Sequence, residues 1–214
     1  MSTAIVPPYR LVLASSTAEQ FALQDYIQRA YQREFNAEIP HFLPLLVGLE
    51  RADGSLAGAC GLTLAADAPL YLENYLDLPV ELSISERLAR PVLRERIVEI
   101  GNFACAEAGH ARIMFAALCR WLSEQSFDYV VFTGTAKLRN SFHRLHLNPL
   151  ELAPALPERV GKDANAWGHY YQCQPRVMVG DLAEGRSILA SNTLLLGLFD
   201  SMPALFPHAR RAHP

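Results

Sequence analysis

Clustered cations, paired cysteines and long apolar runs are all scarce in this sequence, and each scarcity removes a class of function. Beyond the terminal Arg210-Arg211 pair there is no basic run, and 19 Lys and Arg stand against 22 Asp and Glu for a formal charge of −3. No field is left to grip a nucleic-acid backbone, so that partner is excluded. The four cysteines, at 60, 105, 119 and 173, show neither the close pairs of a zinc site nor the density of a disulfide scaffold. They read as small buried side chains in a reducing compartment. No apolar stretch is long enough to span a bilayer, and the start Met1-Ser2-Thr3-Ala4 lacks the charged-then-apolar pattern of a secretory signal. The expected location is cytoplasmic. Among the seven histidines, His143 and His146 could share a helical face, but no third ligand stands at a telling spacing and no metal is assigned. A Ser-His-Asp or Cys-His arrangement for nucleophilic catalysis is also missing.

What is present is enough apolar residue, 50% of 214 positions, to bury one sizeable core. Residues 9–14 read as a first strand. Ser16 and Glu19 then have capping-box spacing ahead of a helix that ends near Phe35, before Pro40. Residues 45–50 and 56–64 form a strand pair around the turn dipeptide Asp53-Gly54. Residues 65–96, punctuated by Pro69, Pro79 and Pro91, are irregular and look like a substrate-side insertion. A strongly apolar strand over 97–104 leads through Gly109 into a helix with Ile113, Ala117, Leu118, Trp121 and Leu122 on one face. Residues 127–133 form a buried strand, and Thr135 caps a helix that reaches Leu147 before Pro149. Strands at 150–153 and 170–179 follow, then an apolar terminal helix over 187–199 ended by Pro203 and Pro207. The alternation predicts an α/β fold, with a domain over 1–185 and a C-terminal apolar helix and tail over 186–214.

Five features carry chemistry. A glycine just inside a helix start lets backbone N–H groups approach a phosphate, so Gly109 and Ala111 suit an anion. Arg112 in that first turn opposes the helix dipole, which an anion there would explain; an arginine leaning into solvent is the alternative. Gly101 inside an apolar strand marks a bulge or a close backbone approach. If the strands splay there, a thioester arm fits between 97–104 and 127–133. Glu99 shares a face with Gly101 and is a charge within a buried run, so it needs a partner. Raised in pKa by burial it would serve as a general base; a salt bridge to Arg94, Arg96 or another basic group is the plainer reading. Lys137, Arg139, Asn140, His143, Arg144 and His146 surround one helix and could receive an acidic partner. Tyr170 and Tyr171, read as neighbours on a late strand, point to opposite faces, and one could donate a proton to a leaving thiolate.

The runs Leu70-Tyr71-Leu72-Glu73-Asn74-Tyr75-Leu76-Asp77, Ile97-Val98-Glu99-Ile100-Gly101-Asn102-Phe103-Ala104, Val131-Phe132-Thr133-Gly134-Thr135 with Leu138-Arg139-Asn140, and Trp167-Gly168-His169-Tyr170-Tyr171 resemble the motifs of the bacterial thermostable hemolysin family over about residues 8–185. That family is distantly similar to the GNAT N-acyltransferases and to acyl-homoserine-lactone synthases. The resemblance implies a GNAT-like mixed, mostly antiparallel sheet flanked by helices, with a splayed central strand pair. In the GNAT donor loop Ala106 replaces the usual Gln or Arg, while Gly109 and Ala111 agree. In the lactone-synthase strand Glu99 and Phe103 match, and Asn102 stands where arginine is usual. The implied activity is transfer of an acyl group from acyl-CoA or an acyl carrier protein to a small amine, with no tightly bound cofactor. Catalytic roles fall to Glu99 and Tyr171, and donor contacts to Asn102, Phe103, Gly109, Ala111, Arg112, Arg139 and Asn140. A carrier protein and a homodimer are candidate assemblies. The competing expectations are a membrane-active cytolysin, which the family name and the terminal apolar helix suggest, and a GNAT-like domain that binds without catalysis.

Overall fold

The computed structural model describes residues 7–199. The Arg210-Arg211 pair, the stops at Pro203 and Pro207 and most of the expected tail lie outside these residues. Strands β1 (Tyr9–Leu13), β2 (Leu45–Arg51), β3 (Leu56–Leu64), β4 (Ile97–Cys105), β5 (Tyr129–Gly134), β6 (Leu150–Pro154) and β7 (Arg176–Asp181) form one sheet in the order β1-β2-β3-β4-β5-β7-β6. Every neighbouring pair is antiparallel except β4–β5.

Local chemistry sets the elements where the sequence placed them. Helix α1 (Thr17–Phe35) opens on Ser16, whose hydroxyl accepts from Glu19 N while the Glu19 carboxylate accepts from Ser16 N, and it closes on Asn36 in the left-handed region. Between β2 and β3 the Asp53 carboxylate accepts from Ser55 N at 2.9 Å, and Gly54 takes a φ of 82° that a side chain would resist. Helix α3 (Ala108–Ser123) buries ten residues from His110 to Leu122. With α5 (Leu182–Ala190) and α6 (Thr193–Leu196) it covers one face of the sheet, packing on Val47, Leu62, Val98, Ile100 and Phe132. The other face carries α1, α2 (Val80–Leu88) and two aromatic-rich 3-10 segments, packed on Ile97, Val131 and Val177 and on Leu46, Ala59 and Ala104.

Four expectations change. The insertion over 65–96 contains a real helix, α2, together with the 3-10 turn Tyr71–Tyr75. The helix after Thr135, α4 (Ala136–His143), is shorter than expected because His146 adopts a left-handed φ of 60°. Tyr170–Cys173 is a 3-10 turn and not strand, since Gln174 turns the chain at φ 47° before β7 begins. The terminal helix starts earlier, on an Asp181 cap, and breaks at Asn192, which caps α6. The division after residue 185 therefore falls inside α5, where Gly185 lies against Cys119 of α3.

Candidate functional site

Strands β4 and β5 pair from Ile97↔Tyr129 to Ile100↔Phe132 and no further. Beyond that point β4 stays with β3 through Gly58↔Cys105, and β5 stays with β7 through Gly134↔Arg176, so the two part. The cause is a bulge. Between Gly61↔Gly101 and Ala59↔Ala104, two β4 residues, Asn102 and Phe103, oppose the single β3 residue Cys60. Asn102, not Gly101, holds the left-handed turn at φ 50°. Its side-chain amide is engaged: Oδ1 accepts from Leu43 N at 2.8 Å and Nδ2 donates to His41 O at 3.0 Å. Gly101 and its cross-strand partner Gly61 leave a trough that Leu43 fills, since a Cβ on either would meet that side chain within 2.8 Å.

A cavity of about 520 Å³ passes through the gap. On the α3 side its wall is mainly apolar: Phe103 stacks on Phe115 at 4.3 Å, Leu118, Leu122, Phe132, Leu138 and Phe142 continue it, and Asn148, Asp181 and Glu184 are its polar members. On the α1 side the wall is aromatic and acidic, with Tyr31, Tyr71, Tyr75, Trp167, Tyr170 and Glu99.

Glu99 is 3% exposed. Its partner is neither Arg94, which holds Glu73 and Glu81, nor Arg96, which faces Asp128. The carboxylate instead accepts from the N–H groups of Tyr71 at 2.8 Å and Leu72 at 3.1 Å, at the open start of the 3-10 turn. Burial pushes its pKa up to about 7; the two N–H bonds pull the other way. Behind the wall, the hydroxyls of Tyr75 and Tyr171 lie 2.8 Å apart, and Trp167 Nε1 donates to the Tyr71 hydroxyl at 3.2 Å. Burial raises Tyr71 and Tyr75 and takes Tyr171 to about 12, so all three phenols stay protonated near neutral pH.

Of the residues expected in the site, Glu99, Asn102, Phe103 and Ala111 line the cavity. Tyr171 sits one hydrogen bond behind it. Gly109 and Arg112 lie beside the lining residues Ala108 and Ala111 at the start of α3, whose N-cap Glu107 makes no side-chain cap bond. A Cβ on Gly109 would meet nothing within 4 Å, so that helix start is open. Arg139 donates to Gly134 O and Gln174 O, tying the end of β5 to the approach to β7, and Asn140 is exposed on α4. Tyr71, Tyr75, Trp167 and His41 were not singled out by spacing, because they come together only through the folded insertion and two 3-10 segments. No group of three or more His, Cys, Asp or Glu that could hold a metal is found among the described residues.

The family model described as thermostable hemolysin matches residues 13–186. No curated protein sequence matches the chain. FeeM, an N-acyl amino acid synthase from uncultured soil microbes, superimposes with a TM-score of 0.61 at 17% identity, over 87% of this chain and 97% of its own. BjaI, a CoA-dependent acyl-homoserine lactone synthase solved with SAM and isopentyl-CoA, gives 0.60 at 13% identity, over 93% and 95%. TofI in an apo form gives 0.57 at 16%, over 86% and 98%. The fold is the expected GNAT-like one.

Proposed function

This chain belongs to the thermostable hemolysin family, and we propose that it is an acyltransferase moving an acyl group from acyl-CoA or an acyl carrier protein to a small amine. The parting of β4 and β5, with one cavity running through it, carries the reading. Past Ile100 and Phe132 the facing edges of the two strands are released from each other, which leaves main-chain groups to pair with the amides of a pantetheine arm. The thioester carbonyl then lies at the gap, the acyl chain on the apolar α3 side, and the amine on the side of Glu99.

In this arrangement the amine nitrogen attacks the thioester carbon, the C–N bond forms and the C–S bond breaks. Glu99 takes the amine proton, a role suited to a carboxyl titrating near neutrality. The leaving thiolate takes its proton from the Glu99 carboxyl or from water, which resets the base, while the Tyr75–Tyr171 hydroxyl pair stays protonated behind the wall. No covalent protein intermediate is needed. The donor's phosphate meets the open first turn of α3 at Gly109, Ala111 and Arg112. Arg112→Ala should weaken binding of a long-chain acyl-CoA about tenfold in calorimetry, on the scale of one lost charge-assisted contact. Unchanged affinity for both CoA and carrier-protein thioesters would remove α3 from the donor site. The transferase reading as a whole is tested by thiol release on mixing purified protein, a long-chain acyl thioester and a panel of amines; absence of both thioester binding and release sinks it.

A further inference from the structure

The acceptor side of the cavity has an unusual balance of groups. Its rings form an unbroken series: Tyr75 to Tyr71 at 6.3 Å between centroids, Tyr71 to Trp167 at 6.1 Å, and Trp167 to Tyr170 at 5.3 Å. Faces of this kind attract cations, most strongly where water is excluded. The charges acting on Tyr71 come from Asp163 and Glu99, and the one acting on Glu99 from Glu73, all of them negative. His41, on the same wall, has Nε2 against the Asp163 carboxylate at 2.8 Å, so it offers no free positive group. Among the described residues, the Lys and Arg that border the cavity are Arg33, exposed near the end of α1, and Lys137, whose Nζ is 2.7 Å from Glu34.

We propose that this chamber selects an acceptor amine bearing a second positive centre and no carboxylate, the α,ω-diamines being its simplest members. The reacting nitrogen sits at Glu99 and the second ammonium against the rings of Tyr71 and Trp167. A carboxylate in that second place would lose its water facing Glu99, and the Lys and Arg at the cavity's border are the exposed Arg33 and the Glu34-bound Lys137. The inference rests on the transferase reading but concerns a separable property, the charge that the chamber accepts.

Calorimetry at pH 8 with 1,4-diaminobutane, butylamine and 4-aminobutyrate tests it, followed by acyl transfer to the same three from one long-chain acyl-CoA. The diamine should bind about tenfold tighter than butylamine, and 4-aminobutyrate about tenfold more weakly. Trp167→Leu should cut the diamine's preference over butylamine to about twofold, a ratio that loss of folded protein cannot mimic. Equal binding of the three, no binding, or preference for 4-aminobutyrate overturns the inference. Acyl transfer without a diamine preference overturns it while leaving the transferase reading intact. Diamine preference without transfer to any amine supports the cationic chamber and defeats the transferase reading.

Discussion

Two opposing influences meet on Glu99, the side chain that the proposed reaction uses as its base. Its N–H donors at Tyr71 and Leu72 orient the carboxylate, while burial penalises the charge and wins, leaving the group to titrate at about 7. As a base it works only when ionised, so kcat/KM should rise with pH through about 7 and then level. Glu99→Gln keeps an acceptor for one of the two N–H groups but cannot take a proton, and should lower kcat by about 10²- to 10³-fold and abolish that limb. A rate within threefold of wild type would assign Glu99 to structure alone. The stability sign runs the other way. A folded pKa above the unfolded one means that the native state holds more protons between about pH 4.5 and 7, so stability falls as pH rises through that window. Relative to Glu99→Gln, the wild type should lose about 3 kcal/mol between pH 4 and 8, from the 1.4 kcal/mol that each pKa unit represents; denaturant melts at both pH values read this directly.

At the scale of elements, the 3-10 turn Tyr71–Tyr75 depends on one arginine. Arg94 donates to both oxygens of Glu73, to Glu81 and to Ala65 O, and Glu73 in turn accepts from Leu70 N and Val80 N, so the turn and the start of α2 share one clamp. Arg94→Gln leaves Glu73 without its counter-charge near Glu99, and that negative charge raises Glu99 further. The rising limb of the pH–rate profile should then move to higher pH and kcat/KM at pH 7 fall about tenfold; a limb that stays in place would uncouple the clamp from the base. Most elements were legible because their signals are local: Ser16 and Glu19, Asp53-Gly54 and Thr135 each fix an end within four residues. Residues 65–96 were not, because α2 starts without a side-chain cap and its apolar residues Val80 and Ile84 face a sheet the sequence does not display. Tyr170–Cys173 reads as strand by composition, and only the turn at Gln174 shows otherwise. Within the site, Glu99 was legible as a charge in an apolar run. Its partners were not, since they are main-chain groups 27 and 28 residues away.

At the scale of the whole molecule, the cavity joins two unlike chambers through one gap in the sheet, and each should be separately alterable. Leu138 on the α3 side is half-buried, so Leu138→Trp should fill the apolar chamber and reduce affinity for long acyl thioesters about tenfold, with much less effect on short ones. Equal loss for every chain length would place the acyl group elsewhere. The same packing bears on the lytic alternative. Leu182, Leu189 and Leu195 of the terminal helices are buried in the core with α3, and no helix among the described residues is long and apolar enough to cross a membrane. With those leucines held in the core, purified protein should leave dye-loaded liposomes intact; leakage that disappears on deleting residues 186–214 would reverse the ranking. The most direct test of the central claim is a crystal structure with a non-hydrolysable long-chain acyl-CoA. It should show the pantetheine arm between β4 and β5 beyond Ile100 and Phe132, with the acyl chain beside Phe115 and Leu118. A thioester bound outside this gap, or strands that close over it, would contradict the account.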